Sequence, residues 1–268
     1  MKLITTYKIK MLEYPTIFVM CIGYFFWLTA IYLRVYGNIH WLCTIPLSSL
    51  GVYTLFTPLH EAANTNISSN KQLNYILGTL IVIPFFFSNF KSFKYIHLQH
   101  HAHTNKPIFD PDYFSRYGII SCIFTPVYYY YYYMTVMYKN NAVNNNIYYV
   151  VSICIFLYAM YLYTLFYHAV VLWIIPSMVG ISVLSYLFDY LPHRNHTNTE
   201  KPTKMTDGCI DFNHKKGNTV ISFLTCNQLT YHHVHHLFTK IPFYLYKTVW
   251  EENIDTIQDD FEYQTVIQ

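Results

Sequence analysis

Charge is scarce in this chain of 268 residues: only 12% are Asp, Glu, Lys or Arg, where about a quarter is usual for a soluble domain. So few charges cannot clothe a globular surface. A disordered chain, a solvated coiled coil and a small secreted scaffold are excluded, and much of the surface must face lipid. The six cysteines (Cys21, Cys43, Cys122, Cys154, Cys209 and Cys226) are scattered and form no Cys-x-x-Cys pair. This pattern supports neither a disulfide framework nor a zinc finger, and the cysteines within apolar runs read as small core or lipid-facing residues. Glycine is sparse, at eight residues, and no Gly-rich nucleotide fingerprint is present. A formal net charge of +3 is too slight to call for nucleic acid as a partner.

Apolar residues are plentiful, at 53%, with a mean hydropathy of +0.19. Four runs approach the roughly 20 residues that a helix needs to cross a bilayer: 15–33, 41–59, 147–167 and 171–190. Arg34, Gly37 and Asn38 mark the turn between the first pair, and His168 and Pro176 are the interruptions near the second. Lys2, Lys8 and Lys10 imitate the start of a signal peptide. The apolar run that follows is too long and lacks a small-residue cleavage site, so it reads as a retained span.

Two further apolar stretches, 73–87 and 119–137, are ambiguous. If His60 and His97 serve one site, the stretch between them cannot cross once, so it reads as re-entrant or interfacial. The same parity makes 119–137 interfacial, and its tyrosine run Tyr128–Tyr133 suits that position. With four spans, all but one of the 17 Lys and Arg residues lie on one side, Arg34 being the exception. The excess of positive charge marks the cytoplasmic face. The expected fold is therefore an all-α integral membrane protein of four transmembrane helices. The chain 1–268 forms a single domain, with both termini cytoplasmic and a cytoplasmic, histidine-rich cap built from 60–140 and 191–268. The end of the tail, from Glu251 to Glu262, reads as acidic and solvated.

Of the 14 histidines, 11 fall in four clusters: His60; His97, His100, His101 and His103; His193 and His196; His232, His233, His235 and His236. His97-Leu-Gln-His100-His101 and His232-His-Val-His235-His236 share the spacing H-x-x-H-H. On a helix, positions i, i+3 and i+4 share a face, so three imidazoles of each triplet are expected to converge on a cation. His103 and His233 fall at the fringe of those faces, beside the site or exposed. His60-Glu-Ala-Ala-Asn64 resembles the zinc-protease pattern H-E-x-x-H but carries Asn64 in place of its second histidine. Asp189, His193 and His196 share a face if that segment is helical, with a kink expected at Pro192. The best-placed ligands are His60, His97, His100, His101, His193, His232, His235 and His236. Eight imidazoles exceed what one ion takes, which implies two ions. Imidazole suits zinc, copper, iron and nickel alike, whereas structural zinc favours cysteine.

These boxes resemble those of the membrane fatty acid desaturase and hydroxylase superfamily, and the resemblance runs roughly from Pro58 to Tyr246. Asp189 and His193 match the superfamily's extra histidine after the last span and the polar residue four positions before it. Three flanking strings resemble the carotenoid ring hydroxylases, the β-carotene hydroxylase type: His100-His-Ala-His-Thr-Asn105 with Asp110-Pro-Asp112, Phe188-Asp-Tyr-Leu-Pro-His-Arg194, and His235-His-Leu-Phe-Thr-Lys-Ile-Pro-Phe-Tyr244. Asn64 departs from the usual first box, which ends in histidine. Asn64 binds weakly or through water, His196 takes its place, or one iron is labile. Asp110 and Asp112 either orient box histidines from behind or cap the helix that follows.

The resemblance implies O2-dependent oxidation of an unactivated C–H bond at two iron ions, on a substrate dissolved in the membrane. Carotenoid β-ring hydroxylation is the first expectation, and acyl-lipid desaturation or hydroxylation the alternative. A non-catalytic metal-binding membrane protein is the alternative of another class, although transporters place their ligands near the bilayer midplane. Electrons then come from a separate donor protein of ferredoxin or cytochrome b5 type, for which Lys215 and Lys216 offer a docking point. The membrane is that of the endoplasmic reticulum if the chain is a eukaryotic lipid enzyme.

Overall fold

The computed structural model describes residues 7–86, 89–133, 154–155, 158, 162–200 and 219–257. Among the described residues all regular structure is helical. Helix α1 (Tyr14–Val35) begins with Pro15 in its first turn, where a missing N–H costs nothing. Helix α2 (Trp41–Ala63) is capped by the His40 side chain, which accepts from the Leu42 N–H. At 1.5 Å per residue both exceed the bilayer core of about 30 Å. Glycines allow the two to meet closely: a Cβ on Gly51 would lie 2.8 Å from the backbone nitrogen of Trp27, and one on Gly23 would lie 2.6 Å from Leu55. Small residues at such crossings let backbones approach, as membrane packing requires.

A third apolar helix, α6 (Phe166–His193), packs on α2, with Ser48 Oγ donating to the Leu172 carbonyl at 2.9 Å. Three helices of the described chain are thus long and apolar enough to cross a membrane. The turn expected near His168 is absent, because the chain is helical from Tyr163 through His193. Pro176 does not break it. A wider π-turn at Val170–Ile174 precedes the proline, and another at Ser185–Tyr190 precedes Pro192. Each takes up the misfit that a proline creates in an α-helical ladder. The expected fourth span lies inside α6, whereas most of the expected third span, 147–167, lies outside the described residues.

Between α2 and α6 lie short helices. Helix α3 (Lys71–Ile81) has 11 residues, too few to cross, and Asn70 caps it by accepting from the N–H groups of Gln72 and Leu73. Helix α4 (Phe90–His103) is capped by Asn89 and carries the second histidine cluster. A 3-10 turn (Pro111–Tyr117) leads to α5 (Ile119–Tyr132), whose 14 residues also fall short of a crossing. Thr125 Oγ1 and Ser185 Oγ, 2.9 Å apart, join α5 to α6.

The tail contributes α7 (Thr219–Leu224), α8 (His232–Leu237) and α9 (Tyr246–Ile257). Of the solvated end expected from Glu251, Glu251 and Glu252 are exposed, while α9 buries Val249, Trp250 and Asn253 on its inner face. Residues ahead of α1 are tied to the same end as His60. The Glu13 N–H donates to the Ile67 carbonyl at 2.9 Å, and Tyr244 Oη donates to the Glu13 carboxylate at 2.7 Å. Four separate stretches (the N-terminal segment, the end of α2, α4 and the tail) therefore build one cap.

Candidate metal centre

His60 sits in the last turn of α2, His193 closes α6, and α4 and α8 present the two H-x-x-H-H triplets. The triplets do not each hold one ion, as their spacing suggested. Residues i and i+4 lie about 40° apart around a helix, while i+3 lies about 100° from i+4, so one triplet can face two ways. His97 and His101 join His60 and His235 in a first group, and His232 and His236 join His100 and His193 in a second. Each helix thus lends two imidazoles to one group and one to the other. Within a group, the potential ligand atoms all lie within 4.8 Å of one another.

In the first group, His235 Nε2 is 3.0 Å from His60 Nε2 and 2.8 Å from His101 Nε2. In the second, His232 Nε2 is 3.0 Å from His193 Nε2 and 3.1 Å from His236 Nε2. The two groups touch: the rings of His101 and His236 are 4.5 Å apart.

The outward nitrogens show what these groups can hold. His100 Nδ1–H donates to Asp110 Oδ1 at 2.9 Å, and His232 Nδ1–H donates to the Gln228 carbonyl at 3.2 Å. An ionised carboxylate and a carbonyl only accept, so both rings place a proton on the outward Nδ1 and leave Nε2 as the inward ligand atom, which His100 offers once a cation displaces its second proton. His236 Nε2 faces both, at 3.3 and 3.1 Å, and has at most one proton to share. Lone pairs crowded this closely repel unless a cation accepts them. The donor set therefore fits metal ions, and an outer partner on Nδ1 is the usual support of a metal-binding histidine.

Electrostatics agree. Burial, reinforced by neighbouring imidazoles, holds His97, His101, His232, His235 and His236 well below the ordinary imidazole value, so they stay neutral. His100 goes the other way: burial opposes its charge, but Asp110 and Asp112 outweigh it and push the ring up to about 9. Burial alone would raise Asp110, yet His100 and Arg116 hold it below the usual carboxylate range. Asp112, 3.4 Å from His100 Nδ1, is pushed up by burial.

Asp110 fills both roles the sequence allowed: it faces His100, and it accepts from the N–H groups of Asp112 at 3.0 Å and Asn105 at 2.9 Å. Asn64 Oδ1 lies 3.2 Å from His97 Nε2, but the first group already has four imidazoles without it. Asp189 belongs to neither group; Tyr129 Oη donates to Asp112 at 2.6 Å and reaches Asp189 at 3.4 Å. His196 also lies outside both groups, because α6 ends at His193 and the chain turns away, its carbonyl accepting from Arg116 at 3.0 Å. His233 is fully buried against Trp250, with ring centroids 4.4 Å apart, and is not at the fringe of the site. His103 is half-buried beside Phe109.

Sequence spacing missed several supports. Gln228 stands four residues before His232, the spacing at which a helical carbonyl meets an imidazole, and that was its only signal. Tyr246 Oη lies 3.0 Å from His235 Nδ1. Arg116, 3.8 Å from Asp110, and Tyr129, hidden in a run of tyrosines, gave no signal.

An apolar cleft of about 70 Å³ reaches the centre, walled by Phe56, Phe93, Ile96 and Tyr133 and bordered by His97, Asp112 and Asp189. A second space of about 210 Å³, between α5 and α6, shares Tyr129, Tyr133 and Ile181 with it.

A search of curated proteins returned no match. A family model of fatty acid desaturases, an oxidoreductase family that normally uses two irons, matches residues 39–266. With most of the chain matched and its imidazoles gathered as such a centre requires, the protein belongs to the fatty acid desaturase family.

Proposed function

We propose that the chain is a membrane-bound, O2-dependent di-iron oxidoreductase that acts on an unactivated C–H bond of a lipid. The observation that carries this reading is the pair of four-imidazole groups beside an apolar cleft. His60, His97, His101 and His235 would hold one iron, and His100, His193, His232 and His236 the other. When bound, the irons supply the O2 and C–H chemistry, which side chains alone cannot. The protein's part is to aim the rings inward, holding His100 through Asp110, His232 through the Gln228 carbonyl and His235 through Tyr246. Phe56, Phe93 and Ile96 wall off water and confine the substrate carbon beside His97. The whole described cap belongs to one domain in this reading.

An acyl chain is the first substrate reading, supported by the family match and by the apolar walls of the cleft. The carotenoid ring is the second reading, carried by the strings around His100, His193 and His235. Four crossings with the cap in the cytoplasm complete the topology. In support, Tyr167 near the start of α6 meets Arg34 at the far end of α1, with Arg34 5.3 Å from the tyrosine ring. Electrons come from a separate ferredoxin or cytochrome b5 type donor; Lys215 and Lys216 lie outside the described residues.

Expression in a host that makes both β-carotene and ordinary lipids, followed by mass spectrometry, tests the reading. New double bonds or hydroxyls in acyl chains support the first substrate, and hydroxylated rings the second. Unchanged lipids from an iron-loaded protein supplied with a donor would reject both.

A further inference from the structure

Glu61 is fully buried at the end of α2. Neither of its carboxylate oxygens has a hydrogen-bond partner among the described residues, and no Lys or Arg among them pairs with it. An isolated buried carboxylate is costly unless a positive charge compensates it. The nearest ionisable nitrogen is His60 Nδ1, at 3.6 Å, on the side of the ring away from the first group, where the Gln228 side-chain amide also meets it at 3.3 Å. Tyr246 stands close enough for its hydroxyl to feel the carboxylate, and the same hydroxyl lies 3.0 Å from His235 Nδ1. Glu61 therefore backs two of the four rings of the first group, one directly and one through Tyr246.

We infer that Glu61 is the counter-charge and positioning residue of the first metal position, matching Asp110 behind His100 at the second. The inference rests on the proposed function, since its missing positive charge is the ion held by His60, His97, His101 and His235. Glu61 touches neither substrate nor metal. It acts through the imidazoles, by favouring the arrangement in which Nδ1 is protonated and Nε2 is free to bind.

This role has a signature that a purely structural residue lacks: an effect with metal that is absent without it. In the full-length protein purified in detergent and stripped by chelation, Glu61→Gln keeps the shape of a side chain that has no hydrogen-bond partner to lose and should not lower the melting temperature. Titrated anaerobically with Fe2+ against a competing chelator, the same variant should bind one of two irons about 10- to 100-fold more weakly. The other iron should be unaffected. Glu61→Asp, which keeps the charge, should recover most of the loss. Tyr246→Phe, which leaves the carboxylate but cuts its link to His235, should weaken the same iron by a smaller factor. The inference is overturned if Glu61→Gln binds both irons as the wild type does, loses both equally, or melts lower without metal. Wild-type protein that takes up no iron would instead remove the proposed function, and this inference with it.

Discussion

The two imidazole groups have the same ligands in the same number but stand on different supports. The second is backed at close range: Asp110 is 2.9 Å from His100 Nδ1, Asp112 is 3.4 Å away, and Arg116 holds Asp110 in turn. The first has one carboxylate, Glu61, at 3.6 Å, the Gln228 side-chain amide at 3.3 Å from His60 Nδ1, and a tyrosine hydroxyl on His235. Two positions with equal ligands and unequal surrounding charge should bind iron unequally, the second more tightly. A pair of ions that must share one reaction need not be equivalent, and here the difference lies outside the ligand set.

The largest effect should come from removing one ring from each group. His235→Ala and His100→Ala should each abolish lipid oxidation while the protein remains in the membrane. Each should retain about one iron, in different positions, by elemental analysis. Equal loss of both irons in both variants would show a single cooperative centre in place of two positions.

Next in size is Asp110→Asn. It should weaken the second iron about 10- to 100-fold. Asn still caps the turn at Pro111, so the metal-free protein should lose stability, measured by chemical unfolding, through the broken charge pairs with His100 and Arg116.

The pH dependence of the metal-free protein separates the groups further. His97, His101 and His235, and likewise His232 and His236, are held neutral by burial. In the unfolded chain each takes a proton below about 6.5, so unfolding binds protons and stability falls as pH drops through that value. His100 has the opposite sign. Its raised value, about 9, gives stability that is fully present below the unfolded value and is lost as pH rises through about 9. The melting temperature should pass through a maximum between these limits, and His100→Asn should remove the alkaline limb alone.

The smallest effect belongs to His196→Ala. With its side chain outside both groups, iron content and affinity should change by less than about twofold. A larger change would return His196 to the ligand set.

The histidine spacing made all eight clustered rings legible, because a short period on a helix leaves an unmistakable trace. It could not show that each triplet would be divided between two groups, since that depends on how α4 and α8 face each other. Long apolar runs likewise announced α1 and α2. They misplaced a turn at His168, because a polar residue between two apolar runs reads as a break, whereas the helix runs straight through it. The supports were the least visible. Gln228, Tyr246 and Arg116 meet the site only through tertiary contacts, and nothing in their local sequence marks them.

Mössbauer spectroscopy of the full-length protein loaded with 57Fe2+ distinguishes the two positions. Two irons per chain should appear as two quadrupole doublets of equal area and different splitting, only one of which shifts in Glu61→Gln. Failure to take up a second iron, or two irons in one indistinguishable doublet that Glu61→Gln leaves unchanged, would contradict this assignment.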